Sequence, residues 1–500
     1  MKSIIKQFVT ILCFFVFCAT LWGCSKINEV EKISQNLSSY TIDATINTDN
    51  HTIEATEVIN YHNNTGVRLE ELCLHLYPNA FRANADATKA VSASQYQKCY
   101  PNGFDAGDIT IKGLVYNDST CGYQIGGQDD NILIVTLPQG LENDAVGCLS
   151  IEFVDVLPKA NHRYGYGQHT INCGNFYPIM CMYENNEWVT NGYCPNGDPF
   201  YSEMANYDIT IHYPQEYTLV STGQQVFAKD SAGAVCKAQA LAVRDFAFVL
   251  SSNFEKQTQM CNGVEVNYYY YDDDNAAQHL KTCCDALSTF CNMIGKYPYN
   301  VLNVCKTNFL QGGMEYPNLV FISDDIDVDS DYKNTIVHEI AHQWFYGVVG
   351  NDECTYPWLD EALTEYCTAL FYDHNAGYDK TTASVLASAL SSYLLFCDMY
   401  KEVYGDLDTS MNRTIYDFRT ETEYVYMTYV RGVLMFDSIA DVVGKKGIVR
   451  CISRYYADNA YTNATPKDLI HSFEHASGKN LTSFITSWLD GSVVLEELSR

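Results

Sequence analysis

Two histidines and a glutamate in the segment HEIAH have the spacing of a metal-binding helix. His338 and His342 stand four residues apart, so on a helix both imidazoles project from one face and can bind one ion. Glu339 lies beside them, within reach of a water molecule at that ion. Zinc favours nitrogen and oxygen ligands in tetrahedral geometry, and a catalytic zinc keeps one position for water. The segment therefore predicts half of a hydrolytic zinc site.

A third protein ligand is expected from the segment WLDEALTEY. Glu361 follows His342 after 18 intervening residues, which is enough chain to leave the first helix and return antiparallel to it. Two neutral imidazoles and one carboxylate leave a net positive zinc, which makes water more acidic. The alternative is a solvated helix face whose histidines bind nothing, because an isolated H-E-x-x-H motif can arise by chance.

Three segments together resemble the aminopeptidase N and leukotriene hydrolase family of zinc metallopeptidases, which are gluzincins. They are GGMEYP at 312–317, HEIAH at 338–342 and WLDEALTEY at 358–366. The family has a G-x-M-E-N motif, then H-E-x-x-H, then 18 residues and a glutamate ligand. The resemblance implies an N-terminal β saddle, a thermolysin-like catalytic domain and often a helical C-terminal domain. We expect the helical domain to be missing, because the chain ends soon after the catalytic part.

The resemblance also implies a role for individual residues. His338, His342 and Glu361 would bind one zinc ion per chain. Glu339 would act as the general base that takes a proton from water and passes it to the leaving amine. Glu315 would bind the free α-ammonium group of a peptide, and a carboxylate near the scissile bond selects a chain end over internal bonds.

The residues beside the predicted ammonium-binding glutamate are expected to contact the substrate backbone. Gly312, Gly313 and Met314 would pair with an extended peptide as an added strand, which requires small residues at the glycine positions. Tyr316 stands where the family usually has asparagine. We therefore expect the adjacent pocket to differ from that of the family.

A tyrosine is expected to stabilise the oxyanion of the tetrahedral intermediate. The family uses the tyrosine of a Y-x-K-G segment downstream of the zinc ligands. Here the corresponding segment is YVRG, with Tyr429 at the tyrosine position, Arg431 in place of lysine, and Gly432. Tyr424 and Tyr426 are close alternatives, and a packing role remains open for each tyrosine.

The elements that must position these residues fall into two groups by periodicity. Over residues 39–255 short runs such as YTIDATI and YDITIHYP alternate apolar and polar residues, and turn clusters separate them. That pattern predicts an N-terminal antiparallel β saddle or sandwich. Over residues 256–500 a few strand-like runs precede segments with helical spacing. The chain is therefore predicted to be multidomain, with an α+β domain second, and the resemblance implies that this second domain is a thermolysin-like zinc-peptidase domain.

Residues 1–24 have the features of a bacterial lipoprotein signal peptide. Lys2 and Lys6 precede an uncharged apolar stretch that is short for a bilayer span, and the segment ends in LWGC. Cys24 would carry a lipid that anchors the protein at the outer surface of the cell membrane, with residues 25–38 as a polar tether. An uncleaved signal anchor is the alternative, and it also places the chain outside the cytoplasm.

Composition restricts the partners. The 500 residues include 31 Lys and Arg against 61 Asp and Glu, a formal charge of −30. Such a field repels phosphate backbones, so we expect no nucleic-acid partner. The 20 cysteines show no zinc-binding spacing, and export permits disulfides whose pairing the sequence does not specify.

These observations predict a surface-anchored zinc aminopeptidase that acts on peptides with a free N-terminus. One alternative is a zinc endopeptidase, or a hydrolase of another substrate on the same scaffold. Another is a non-catalytic peptide-binding lipoprotein that uses the cleft for recognition. Replacement of Glu315 separates the first two possibilities, because only an aminopeptidase depends on an ammonium-binding carboxylate.

Overall fold

A computed structural model of the protein describes residues 29–85, 89–229 and 233–495. Cys24 and the predicted signal peptide lie outside these residues. The strands, in chain order, are β1 Ser38–Asn47, β2 Thr52–His62, β3 Leu69–His75, β4 Asp108–Tyr116, β5 Ser119–Thr120, β6 Tyr123–Gly126, β7 Ile132–Leu141, β8 Val146–Val156, β9 Tyr164–Tyr166, β10 Ile171–Gly174, β11 Ile179–Met180, β12 Tyr183–Glu184, β13 Glu187–Trp188, β14 Ala205–Tyr213, β15 Thr218–Ser221, β16 Gln224–Lys229, β17 Ala234–Val243, β18 Ala247–Ser251, β19 Glu255–Cys261, β20 Val264–Tyr270, β21 Val301–Thr307, β22 Gly313–Met314 and β23 Leu319–Ser323.

The helices are concentrated in the second half of the chain. They are α1 Glu29–Ser34, α2 Tyr96–Cys99, α3 Ala276–Met293, α4 Asp329–Ala341, α5 Trp358–His374, α6 Thr382–Tyr404, α7 Glu421–Val425, α8 Arg431–Val443, α9 Lys445–Asn459, α10 Pro466–Ser477 and α11 Thr482–Leu489. A π-helical segment, Tyr426–Val430, joins α7 to α8.

The N-terminal half is built from β-sheets, as predicted. Its largest sheet has the strand order β16-β17-β14-β1-β2-β8-β4-β5, and it is antiparallel apart from the parallel pair of β1 and β14. Alternation along β1 places Tyr40, Ile42, Ala44 and Ile46 in the core. Two four-stranded sheets, β15-β18-β10-β9 and β11-β3-β7-β6, contribute to the same core.

The predicted polar tether is replaced, over residues 29–34, by the short helix α1. Val30 is buried and α1 packs against β17. The side-chain amide of Asn206 donates a hydrogen bond of 2.8 Å to the carbonyl of Ser34, so the end of α1 is fixed to the sheet. The buried Val30, the partly buried Ile33 and this backbone contact hold a segment whose other residues are polar.

The second domain is α+β, as predicted, and its sheet has the order β19-β20-β21-β23-β22. The three middle strands are parallel, and both outer strands pair antiparallel to their neighbours. The helix α4, which contains the HEIAH motif, packs against β22 and β23 on one side and against α3 and α5 on others. The short edge strand β22 and the motif helix are therefore neighbours.

A buried histidine fixes the beginning of α4. His279 of α3 is 5% exposed, and its Nε2 lies 3.1 Å from an oxygen of Asp329, the first residue of α4. Its Nδ1 lies 2.7 Å from an oxygen of Asp273. The two carboxylates hold the imidazole on both sides, which ties the start of the motif helix to α3.

A buried arginine joins the two domains just beyond the motif helix. Arg244 donates hydrogen bonds to the carbonyls of Tyr346 and Thr462, both at 2.6 Å. The hydroxyl of Tyr346 donates to Asp245. Tyr346 has a φ of 117°, a backbone conformation that costs energy for a non-glycine residue. The N-terminal domain thus holds the turn that follows His342.

The helix α6 carries an exposed apolar surface. By length and composition alone it could cross a membrane, but it packs against α5 and α8, and Tyr393 and Phe396 are buried there. Leu395, Met399 and Val403 are exposed.

The seventeen cysteines of the described residues are all free thiols.

Candidate active site and metal centre

Three predicted ligand atoms converge on one point. His338 Nε2 and His342 Nε2 lie 3.1 Å apart, and Glu361 Oε2 lies 3.2 Å from the first and 3.1 Å from the second. Tetrahedral zinc with bonds of about 2.0–2.1 Å requires ligand atoms about 3.3 Å apart. The donor set of two imidazoles and one carboxylate and its spacing both fit a zinc ion.

Two neighbouring helices bring these ligands together. His338 lies in the last turn of α4, and His342 follows directly at its C-terminal end. Glu361 lies in the first turn of α5, which packs against α4. A carboxylate in the first turn of a helix is also favoured by the helix dipole. The 18 residues between His342 and Glu361 therefore let the second helix return beside the first, as the spacing suggested.

The other nitrogen of each imidazole is already engaged. His338 Nδ1 lies 3.0 Å from Glu365 Oε2, and His342 Nδ1 lies 2.9 Å from the carbonyl oxygen of Phe345. These acceptors favour the tautomers that leave Nε2 free to bind a metal. The sequence reasoning missed Glu365, although it stands one helical turn after Glu361 and faces the same side.

The electrostatic environment keeps Glu361 ionised. Before a metal binds, burial opposes ionisation, but the charge of protonated His342 and the hydrogen bonds from His338 and His342 together hold the pKa of Glu361 well below its usual range. A metal ion would take the place of the protons on the two Nε2 atoms. An ionised carboxylate is the form that binds a metal ion.

The predicted general base lies against the substrate-binding edge strand. Glu339 is 5% exposed, and its Oε2 has no hydrogen-bond partner among the described residues. A Cβ at Gly313 would lie 2.4 Å from its carboxyl carbon, so any side chain there would displace the Glu339 carboxylate. Burial raises the pKa of Glu339 to about 7. A base with a pKa near neutrality suits proton transfer at physiological pH.

Tyr429 lies beside the predicted metal position. Its hydroxyl donates a hydrogen bond to Glu361 Oε1, and its ring centroid lies 5.9 Å from that of His338. The ring of Tyr424 meets the Tyr429 ring edge-on, and both line the cleft. Tyr426 instead stacks on Phe396, with centroids 4.3 Å apart. The geometry thus favours Tyr429 as the donor to the oxyanion. Tyr424 stays an alternative because it also lines the cleft, and Tyr426 does not face the cleft.

The residue predicted at the lysine position of the Y-x-K-G segment has a structural role here. Arg431 is fully buried and donates hydrogen bonds of 2.9 Å to the Tyr393 hydroxyl and to the carbonyl of Val493. Gly432 packs so closely against Ala362 that a Cβ at position 432 would lie 2.3 Å from the alanine methyl carbon. Both residues hold α8 against neighbouring elements.

Glu315 belongs to a second group of carboxylates beside the metal ligands. Asp198, Glu315 and Glu361 each offer an oxygen, and the three oxygens lie within 4.8 Å of one another. Glu315 is 3% exposed, and its Oε1 has no partner among the described residues. Burial, with the nearby Asp198 charge, raises the pKa of Glu315 well above its usual range. A cation placed between these oxygens would relieve that cost.

Asp198 reaches this group from the N-terminal domain. The guanidinium of Arg163 donates a hydrogen bond of 2.5 Å to Asp198 Oδ1, and the Arg163 side chain is 4% exposed. Neither residue belongs to a recognisable motif, so the sequence reasoning missed both. Their loops meet the catalytic domain only after folding.

The residues next to Glu315 face in different directions. Gly312 and Gly313 line the cleft, and their contact with the substrate backbone stays a prediction. The side chain of Met314 is fully buried, so only its backbone is available to a substrate. Tyr316 also faces away from the cleft, and its hydroxyl donates a 2.7 Å hydrogen bond to Asn175. The exchange for the family's asparagine therefore affects the domain interface and not the expected pocket.

The cleft lies between the two domains and has a volume of about 380 Å³. That volume is in the range of small-ligand pockets. Its walls are formed by both domains, and they include Gln95, Arg163, Asp198, Gly312, Gly313, Glu315, His338, Glu339, His342, Glu361, Glu365, Glu421, Tyr424, Val425 and Tyr429. The unpaired edge of β22 borders the cleft.

Comparison with known proteins finds one family of domains that matches part of the chain. Residues 279–488 match the family described as Peptidase family M1 domain. Aminopeptidase 2 of Candida albicans is 26% identical over 208 residues, which are 38% of this chain and 21% of that protein. Aminopeptidase N of Streptomyces lividans is 24% identical over 202 residues, 36% of this chain and 22% of that protein. The chain thus spans about a fifth of the length of these curated relatives.

Solved structures share the fold over nearly the whole chain. The M1 zinc metallopeptidase from Deinococcus radiodurans has a TM-score of 0.62 at 15% identity, covering 92% of this chain and 94% of that one. A mutant of that metallopeptidase was solved with a Tyr-Ser-Ala substrate, and it has a TM-score of 0.62 at 14% identity, covering 92% and 95% of the two chains. This likeness shows a shared two-domain fold.

Proposed function

We propose that the protein is a zinc aminopeptidase that removes the N-terminal residue from peptides. The match of residues 279–488 to the Peptidase family M1 domain supports this proposal. The relatives named as aminopeptidases support this class of reaction. The metal-binding group of His338, His342 and Glu361 supports one zinc ion per chain.

The observation that carries the proposal is the second group of carboxylates. Asp198 and Glu315 lie beside Glu361 and so beside the metal position, with an unpartnered buried oxygen on Glu315. An α-ammonium group is a cation with three donors, and it can satisfy carboxylates from both domains at once. A peptide held this way presents its first peptide bond to the metal. An internal segment of a peptide has no cation at that place.

The residues around the metal position divide the chemistry among them. Zinc held by the three ligands would supply the Lewis acidity that activates water and polarises a carbonyl. Glu339 is placed to accept the proton of the attacking water and to return it to the leaving amine. The Tyr429 hydroxyl is placed to donate a hydrogen bond to the oxygen that gains charge in the transition state.

The edge strand β22 is the proposed seat of the peptide backbone. Gly313 and Met314 pair with β23 on one side only, and the other side borders the cleft. An extended peptide can add there as a further strand. The absence of a side chain at Gly313 lets the peptide lie close to Glu339.

The ammonium-binding role is tested by removing charge from each carboxylate. We expect Glu315→Gln and Asp198→Asn each to lower kcat/KM for a free-amine peptide amide by about 30-fold or more, since losing one partner of a buried charge pair costs at least about 2 kcal/mol. Zinc content should stay unchanged. Full activity of Glu315→Gln, together with cleavage of N-acetylated peptides, would instead establish an endopeptidase.

We also propose that the protein acts outside the cytoplasm, anchored to the membrane by a lipid on Cys24. The LWGC segment and the basic and apolar residues before it support this. Cys24→Ser should move the protein from the membrane fraction to the soluble fraction and abolish incorporation of labelled fatty acid. Labelling that persists in Cys24→Ser would refute the lipid assignment.

A further inference from the structure

One wall of the cleft is formed by the helix that leads to Tyr429. Glu421 and Val425 stand one helical turn apart on α7, and Tyr424 of the same helix contacts the Tyr429 ring. All of these residues line the cleft. If the α-ammonium group lies at Glu315 and the carbonyl lies near Tyr429, the first Cα lies between them. The side chain of the first residue can then extend along this wall.

Glu421 is the acidic group of this wall, and its hydrogen-bond partners are neutral. Its Oε2 accepts hydrogen bonds from the hydroxyls of Ser92 (3.2 Å) and Ser94 (2.8 Å). Its Oε1 accepts a 2.9 Å hydrogen bond from the amide of Gln95, which also lines the cleft. These donors fix the carboxylate in place but leave its charge uncompensated.

The lysine of the segment that contacts Glu421 is occupied elsewhere. Lys98 lies close enough for Glu421 to influence it, but its ammonium pairs with Asp325 at 2.8 Å. Within the described part of the chain, no Lys, Arg or His nitrogen lies within 4.0 Å of the Glu421 carboxylate. Glu421 therefore remains a negative charge at a cleft wall.

The other charges of the cleft have partners or roles. The lining contains six carboxylates and a single guanidinium, that of Arg163, which pairs with Asp198. Glu361 is the proposed metal ligand, Glu365 contacts His338 Nδ1, and Glu339 is the proposed general base. Glu315, which lines the same cavity, has a buried oxygen without a partner in the part of the chain that the structure describes, which marks the proposed ammonium position. Glu421 is the one left over for a second cation.

From this arrangement we propose that Glu421 selects peptides whose N-terminal residue has a positively charged side chain, namely lysine or arginine. The proposal rests on the aminopeptidase function above and names the substrate class of the same site. Glu421 would pair with the side-chain cation while Glu315 and Asp198 hold the α-ammonium. A cation at a half-exposed carboxylate in a narrow cleft gives about a tenfold preference.

The test measures kcat/KM for the amides of arginine, lysine, leucine and methionine with the zinc-loaded protein. We expect arginine and lysine amides to be favoured about tenfold over leucine amide, and the preference to weaken as ionic strength rises. In Glu421→Gln the ratio of arginine to leucine should fall to near one, and Glu421→Asp should restore part of it.

The matched control is Asp325→Asn. Asp325 binds the same N-terminal segment through Lys98 but lies outside the cleft lining, so its loss should leave the arginine-to-leucine ratio unchanged. An equal fall of the arginine-to-leucine ratio in Asp325→Asn would show that the ratio depends on the position of the segment that carries Lys98 and not on the charge of Glu421. That result would overturn the proposal. Cleavage of all four amides without a cationic preference would overturn it while leaving the aminopeptidase function standing. No cleavage of any amide would overturn both.

Discussion

Replacing Tyr429 by phenylalanine removes one hydroxyl group from the active site and little else. The ring can keep its contacts with His338 and Tyr424, whose centroids lie 5.9 Å away in both cases. The lost hydroxyl is the donor proposed for the oxyanion. The variant therefore separates transition-state stabilisation from packing.

The expected magnitude follows from where the hydroxyl lies. It bonds to Glu361 deep in the cleft, where water does not replace a lost donor effectively. Loss of one oxyanion donor in such a site costs about 2.7–4 kcal/mol, which corresponds to about a 100- to 1000-fold fall in kcat. Binding of the ammonium group by Glu315 and Asp198 is untouched, so KM should change much less than kcat.

The assay compares three single variants on one free-amine peptide amide. Tyr429→Phe should show the full loss of kcat, Tyr424→Phe a smaller one, and Tyr426→Phe none, because Tyr426 stacks on Phe396 away from the cleft. Zinc content must be measured in each, since the Tyr429 hydroxyl also bonds to the ligand Glu361.

Two results would refute this reasoning. A fall in kcat of less than about tenfold in Tyr429→Phe, with zinc retained, would show that another group stabilises the oxyanion. An equal or larger fall in Tyr424→Phe would transfer the role to that residue. A loss of zinc in Tyr429→Phe would instead make the tyrosine a support of the metal ligand.

Two further predictions concern the packing around the site and in the N-terminal domain. Gly313→Ala should lower kcat by about 100-fold, because its Cβ would displace the Glu339 carboxylate, and the loss should exceed that of Gly312→Ala, whose Cβ would meet nothing closer than 3.8 Å. Glu57 is fully buried with both oxygens unpartnered among the described residues, and burial raises its pKa well above the usual value. The unfolding free energy should therefore fall as pH rises above the unfolded-state pKa of about 4.3. Urea unfolding at pH 5 and pH 8 measures this fall. Glu57→Gln should make the difference between the two pH values smaller, and the exposed Glu54→Gln should leave it unchanged.

Local spacing was sufficient to predict that the three candidate metal ligands lie close together. His338, His342 and Glu361 depend on the geometry of two helices, and the 18 intervening residues leave few ways to arrange them. Strand alternation likewise predicted the β-rich first half, because β1 and β14 each bury one face. In both cases the information lies within a few residues of sequence.

Contacts between the domains were beyond the reach of that reasoning. Asp198 and Arg163 carry no motif, and Glu421 stands at the start of a five-residue helix that no periodicity announces. These residues meet in the cleft because the two domains pack together. Met314 stays a predicted backbone contact of the substrate, but the two-residue period of a strand turns its side chain into the core, which the sequence reasoning did not specify.

The exopeptidase claim is tested most directly by comparing peptides with free and acetylated N-termini. The measurement uses zinc-loaded protein lacking residues 1–24, a panel of amino-acid amides and peptides with their N-acetylated versions, and Glu339→Gln as the inactive control. We predict cleavage of the free-amine forms only, one residue at a time from the N-terminus, and none in the control. Equal cleavage of the acetylated peptides by the unsubstituted protein would contradict it.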